Sequence, residues 1–160
     1  MIALAMLRDR GVPETQDSWA LQVALLNDLI THWDAPDNGL WEIRAAPQHF
    51  THSKVMVWAA LDRAIEGVER HGLPGDADRW RQVRDEVRQQ VLTRGFNAEV
   101  NSFTQHYETT EVDAALLVMP ATGFIEATDP RFVGTVDRIE KTLLRDGFVI
   151  RYRTETGVDG

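Results

Sequence analysis

The chain has 160 residues, 43% of them hydrophobic and 26% charged, the profile of one globular domain with a real core. Its net charge of −8 argues against a nucleic-acid backbone as partner, because phosphate binding needs a basic surface. No apolar run approaches the roughly 20 residues of a membrane span. The chain has no cysteine, which excludes disulfides and thiolate metal sites and leaves the cytoplasm as the expected compartment.

Met1–Leu7 is apolar but short and has no basic leader, so it is read as the tail of a helix over residues 1–9 and not as a signal peptide. Gly11 and Pro13 end it. The next helix is expected to start near Asp17 or Ser18, either of which can cap it. Trp19, Val23, Leu26, Ile30 and Trp33 fall at steps of three or four and form one apolar face.

A loop follows. Asp37-Asn38-Gly39 is turn chemistry, since Asn and Gly tolerate positive φ and Asp binds its own backbone. Pro47 keeps its predecessor out of the helical region. Between them stand Trp41 and Glu42, with Arg44 close behind. A tryptophan beside a carboxylate on a loop suits an acid site for sugars. The indole face covers a sugar ring, and its apolar bulk raises the carboxyl pKa so that a proton is available near neutral pH. A solvated Glu beside a core Trp is the simpler reading of the same pair.

A long helix is expected from Thr51 to His71, buried through Val55, Trp58, Ala59, Leu61, Ala64, Ile65 and Val68, and stopped by Gly72 and Pro74. Another runs from Asp76 or Asp78 to Thr93, with Trp80, Val83, Val87 and Val91 inward and a charge-rich face outward. Residues 96–101 read as turns and Ser102–Tyr107 as a short extended stretch. A buried helix is expected from Glu111 to Met119, apolar nearly all round, ended by Pro120 and Gly123. Asp129-Pro130 opens a last helix with Phe132, Val136, Ile139 and Leu143 as its stripe and Gly147 as its stop. Phe148–Tyr152 is an extended exit into a polar tail. Both ends read as internal to a larger domain, and the alternation of apolar with charge-faced helices suggests helical hairpins around an axis.

Five segments carry a resemblance: PDNGLWEIR (36–44), HFTHSKVMVWAALDRAI (49–65), RGFNAEVNSFTQHY (94–107), EVDAALLVMPATGF (111–124) and the stretch 129–160. In this order they make the chain similar to the glucoamylase-like glycoside hydrolases of family 15, including bacterial relatives with trehalase or α-glucosidase activity. The resemblance implies an all-α fold, part of an (α/α)6 toroid spanning residues 1–160, truncated at both ends, and an exo-acting hydrolase of α-glucosidic bonds in its carbohydrate substrate, with trehalase the nearest alternative. It implies Glu42 as general acid, Trp41 as pocket lining, the Leu40 backbone close to the sugar, and Arg151 bound to sugar hydroxyls. Arg44 and Lys54 take pocket or orienting roles. Fungal-type members carry a second carboxylate after the acid, where this chain has Ile43. The family inverts configuration, with acid and base about 6.5–9.5 Å apart. The family's base is expected in a segment this chain lacks, and the chain alone is expected to be inactive.

Other residues admit plainer roles. His49 and His52, with His32, lack supporting ligands at a familiar spacing, so capping or core hydrogen bonding is expected, with no metal and no cofactor. Tyr107, with His106, either contacts sugar or packs. Asp113, opening an apolar segment, is expected to cap or hydrogen-bond in the interior before it is expected to catalyse. Trp19, Trp58 and Trp80 lie on helical stripes and read as core. A non-catalytic helical scaffold is the alternative class of function.

Overall fold

The computed structural model describes residues 1–153; the polar tail, with Asp159, lies outside the described residues. Among the described residues the helices are α1 (Ile2–Asp9), α2 (Gln16–His32), α3 (Thr51–His71), α4 (Ala77–Arg94) and α5 (Pro130–Leu143). Two short antiparallel hairpins join them, β1 (Phe96–Asn97) with β2 (Ser102–Phe103) and β3 (Leu144–Arg145) with β4 (Phe148–Val149). No described helix is long and apolar enough to cross a membrane.

Helix α3 organises the core because it is apolar on two sides. Val55, Trp58 and Ala59 pack with Val87 and Val91 of α4, with Phe103, Leu116, Met119 and Phe124, and with Ile139 and Leu143 of α5. Leu61, Ala64 and Ile65 pack on another side with Trp19 and Leu26 of α2 and Trp80 of α4. Each such Leu or Ile adds about 1.5–3 kcal/mol by leaving water. Trp19 meets Trp80 edge-on at 6.3 Å and donates its indole N–H to Pro74 O at 2.8 Å. Gly72, in the left-handed region at φ 66°, closes α3. Arg8 ties α1 in place: its guanidinium reaches Glu14 at 2.5 Å and lies 5.3 Å from the Trp19 ring centre.

The structure differs from expectation at five places. Phe96-Asn97, expected as turn, is strand β1, with Phe96 opposite Phe103 and Asn97 opposite Ser102. Thr15, not Asp17 or Ser18, caps α2, its side chain accepting from Ser18 N at 3.2 Å. The expected helix over residues 111–119 is a pair of 3₁₀ segments, Ala114–Val118 and Pro120–Thr122. Only a few residues separate the Asp113 cap from Pro120, which has no N–H to extend an α-helical ladder. Leu117 and Val118 of this segment are exposed, not buried. On α5, Val136 is exposed while Gly134 and Thr135 take the inner face, and the Thr135 hydroxyl accepts from Phe103 N at 2.9 Å. Finally, α5 ends at Leu143, and Asp146-Gly147 is a hairpin turn with φ 50° and 83° at its two residues.

Candidate active site

The loop between α2 and α3 is a braced structure. Its neck closes through paired backbone bonds between Asp37 and Gln48, 2.8 Å in each direction. The Asp37 carboxylate accepts from Gly39 N at 2.6 Å and from the Ser53 hydroxyl at 2.8 Å, which moors the turn to the first turn of α3. Gly39 sits at φ 70°, and a Cβ there would meet the Phe50 ring at 2.9 Å, so only glycine fits. The Asn38 amide donates to Ile43 O at 3.0 Å and Ala45 O at 3.3 Å, and Ile43 N donates back to Asn38 O at 3.0 Å.

This clamp turns the chain sharply at Glu42. Its φ is 50°, the left-handed region that costs an L-residue about 1–2 kcal/mol. Trp41 beside it is half-buried, whereas the Glu42 side chain is exposed. These residues alone therefore do not supply the apolar cover expected over the carboxyl.

Arg151 joins the same place from the far end of the chain. Its guanidinium lies 5.9 Å from the Trp41 ring centre and 5.6 Å from that of Tyr152, the geometry of a cation over aromatic faces. Its carbonyl accepts from Ala114 N at 2.8 Å, and Tyr152 bridges Asp113 in antiparallel fashion. Trp41, Arg151 and Tyr152 thus meet, with Glu42 the next residue in the chain.

The other candidates separate. Leu40 is exposed and lines an apolar cavity of about 430 Å³ on the α2–α3 side, with Leu29, Gly39, His52, Met56 and Val57. Burial lowers the His52 pKa there, opposed by the charge of Asp37. Arg44 is exposed on the loop. Lys54 is only 2% exposed, and its ammonium donates to Trp33 O at 2.7 Å and Ala35 O at 2.6 Å. Burial lowers its pKa, while Asp37 and Asp34 oppose the shift. Lys54 therefore holds the end of α2 to the loop, an orienting geometry. Tyr107 is buried, donates to Gln90 Oε1 at 3.1 Å, stacks on His49 at 5.7 Å, and has Arg94 over its ring. Burial pushes its phenol far above the usual range. Both side chains have structural partners that account for their polar atoms.

Asp113 takes the buried capping place that its position at the head of an apolar run predicts. It is 2% exposed and its carboxylate accepts from Ala115 N at 2.8 Å. Burial raises its pKa to about 6, against the opposing pull of the Ala115 N–H, the Gln105 amide, the Leu116 N–H and the Trp41 indole. The Trp41 indole N–H and the Gln105 amide nitrogen are buried and make no hydrogen bond, so they act on the carboxyl through their dipoles. The signal in the sequence was an aspartate opening an otherwise apolar run.

The chain can be compared with known proteins. The model of the glycosyl hydrolases family 15 matches residues 1–159. A trehalase of Thermoplasma volcanium is 44% identical over 129 residues, covering 80% of this chain and 21% of the relative. A trehalase of Mycobacterium tuberculosis is 42% identical over 149 residues, covering 93% of this chain and 22% of the relative. The chain thus spans about a fifth of the length of these curated relatives. Among solved structures, a wild-type glycosidase superimposes with a TM-score of 0.66 at 21% identity, over 78% of this chain and 33% of that one. A variant glycosidase in complex with glucose gives the same TM-score at 20% identity. These likenesses establish the fold, part of a helical toroid with short extended pieces. Matched by the family's model along nearly its whole length, the chain belongs to the glycosyl hydrolases of family 15.

Proposed function

We propose that these residues form the acid-bearing part of a site that hydrolyses an α-glucosidic bond, with trehalose the favoured substrate. Glu42 donates its proton to the glycosidic oxygen as the bond to the sugar breaks. A second carboxylate takes a proton from water attacking the opposite face, about 6.5–9.5 Å away, which inverts the anomeric centre. That base belongs to the part of the family domain that this chain does not span. Trp41 covers the apolar face of the ring, and Arg151 donates to its hydroxyls in a plane set by the indole beneath it. Arg44 lines the approach, and Lys54 orients the loop. The cysteine-free composition is compatible with the cytoplasm as its place of action.

The observation that carries this reading is the backbone of Glu42. A carboxylate held at φ 50° by a loop built to hold it is placed at an energetic cost, and such strain clusters at functional positions. The preference for trehalose rests on relatives at 42–44% identity that bear that name. The test is hydrolysis of trehalose and maltose by the complete family domain, with and without Glu42→Gln. Turnover of trehalose that the substitution removes supports the reading; equal turnover by both proteins refutes it.

A further inference from the structure

Three separate segments meet at Asp113. The first carries Trp41 and Glu42, the second carries Gln105 on the stretch that bonds the start of α3 through Gln105 O and Thr51 N at 3.0 Å, and the third carries Arg151 and Tyr152. Asp113 touches all three in different ways. Its carboxylate caps Ala115 and attracts the buried indole N–H of Trp41 and the buried amide of Gln105. Its backbone pairs with Tyr152, while the next residue bonds Arg151 O at 2.8 Å. A buried carboxyl that caps one N–H keeps acceptor capacity in reserve, and the two buried donors that act on it, the Trp41 indole and the Gln105 amide, make no hydrogen bond elsewhere.

We propose that Asp113 is a positioning residue, whose buried side chain orients the Trp41 indole while its backbone fixes the strand that lays Arg151 over that indole. One residue then holds the sugar platform and the guanidinium in a common register. The role rests on the reading of Trp41 and Arg151 as parts of the site, but the coupling itself concerns only side chains of this chain and is measurable without activity.

The experiment is two-dimensional ¹⁵N NMR of the 160-residue chain, following the indole N–H peaks of its five tryptophans and the arginine Nε–H peaks. Asp113→Asn keeps the size and an acceptor for Ala115 but removes the charge. The expected result is a shift of the Trp41 indole peak and of the Arg151 Nε–H peak, with the other four indoles in place. Shifts confined to the amides of residues 114–116 would reduce Asp113 to a local cap and overturn the proposal. Should the Asp113→Asn variant fail to fold, Trp41→Phe reads the same contact from its other side. It should move the Ala115 amide and the Gln105 side-chain amide, and their constancy would equally overturn it.

Discussion

The guanidinium of Arg151 lies 5.9 Å above the ring of Trp41, although one residue sits in the loop before α3 and the other beyond the last hairpin. The contact is made by backbone, not by chance proximity of long side chains. Arg151 O is bonded to Ala114 N, and Trp41 is held in a loop whose neck and turn are both hydrogen-bonded. A flat cation over a flat ring leaves its edge free to donate to sugar hydroxyls.

Arg151→Lys should therefore lower kcat/KM of the complete family domain at least about tenfold. A lysine keeps the charge but loses the planar fork and the stacking. Steady-state kinetics on trehalose check this, and a loss below about twofold would deny Arg151 a contact with the sugar.

Glu42→Gly should remove activity without destabilising the chain. Glycine occupies φ 50° freely, which relieves about 1–2 kcal/mol of strain but adds freedom to the unfolded chain. The net change should be a gain of about 0–1 kcal/mol. Urea titration of the chain measures it, and a clear loss would mean that the Glu42 side chain has structural duties.

Lys54→Met should do the reverse. Methionine fills the space but leaves the carbonyls of Trp33 and Ala35 without their donor in a site that is 2% exposed. A loss of about 2–4 kcal/mol is expected. Arg44→Met, on an exposed side chain of the same loop, should change stability by less than about 0.5 kcal/mol.

Asp113 makes stability depend on pH in a particular direction. Its folded pKa is raised by burial from an ordinary 3.8 to about 6. The folded chain therefore keeps this proton where the unfolded chain has lost it. The favourable contribution is full below about pH 4, shrinks as pH rises, and is gone above about pH 6. Asp129 runs the other way: its hydrogen bonds to Arg131 hold its pKa at about 2, so its contribution is lost in strong acid. Comparing the chain with Asp113→Asn cancels that and every other shared group. The stability of the parent relative to the Asn variant should fall by about 2 kcal/mol between pH 4 and pH 7. A difference that is flat across this range would contradict a carboxyl whose burial outweighs its hydrogen bonds.

Much of this architecture was legible beforehand, for physical reasons. Helix α3 announces itself because a long apolar stripe ends at Gly72, and α5 because Asp129-Pro130 is both cap and first turn. The segment at 114–122 departs from its apolar pattern because Asp113 and Pro120 at its ends select 3₁₀ over α, which turns Leu117 and Val118 outward. Asp146-Gly147 carried a hairpin signal that was masked by the helix preceding it. The loop of Trp41 and Glu42 stood out through its turn residues. The meeting of Trp41, Asp113 and Arg151 did not, because no local pattern encodes a contact between segments so far apart.

The proposed role of Glu42 as proton donor is tested most directly by one comparison. In the complete family domain, Glu42→Gln should lower kcat on trehalose on the order of 10²–10⁴-fold while leaving substrate binding close to unchanged. A Glu42→Gln protein that turns over trehalose at the parent rate would contradict the assignment of Glu42 as the acid.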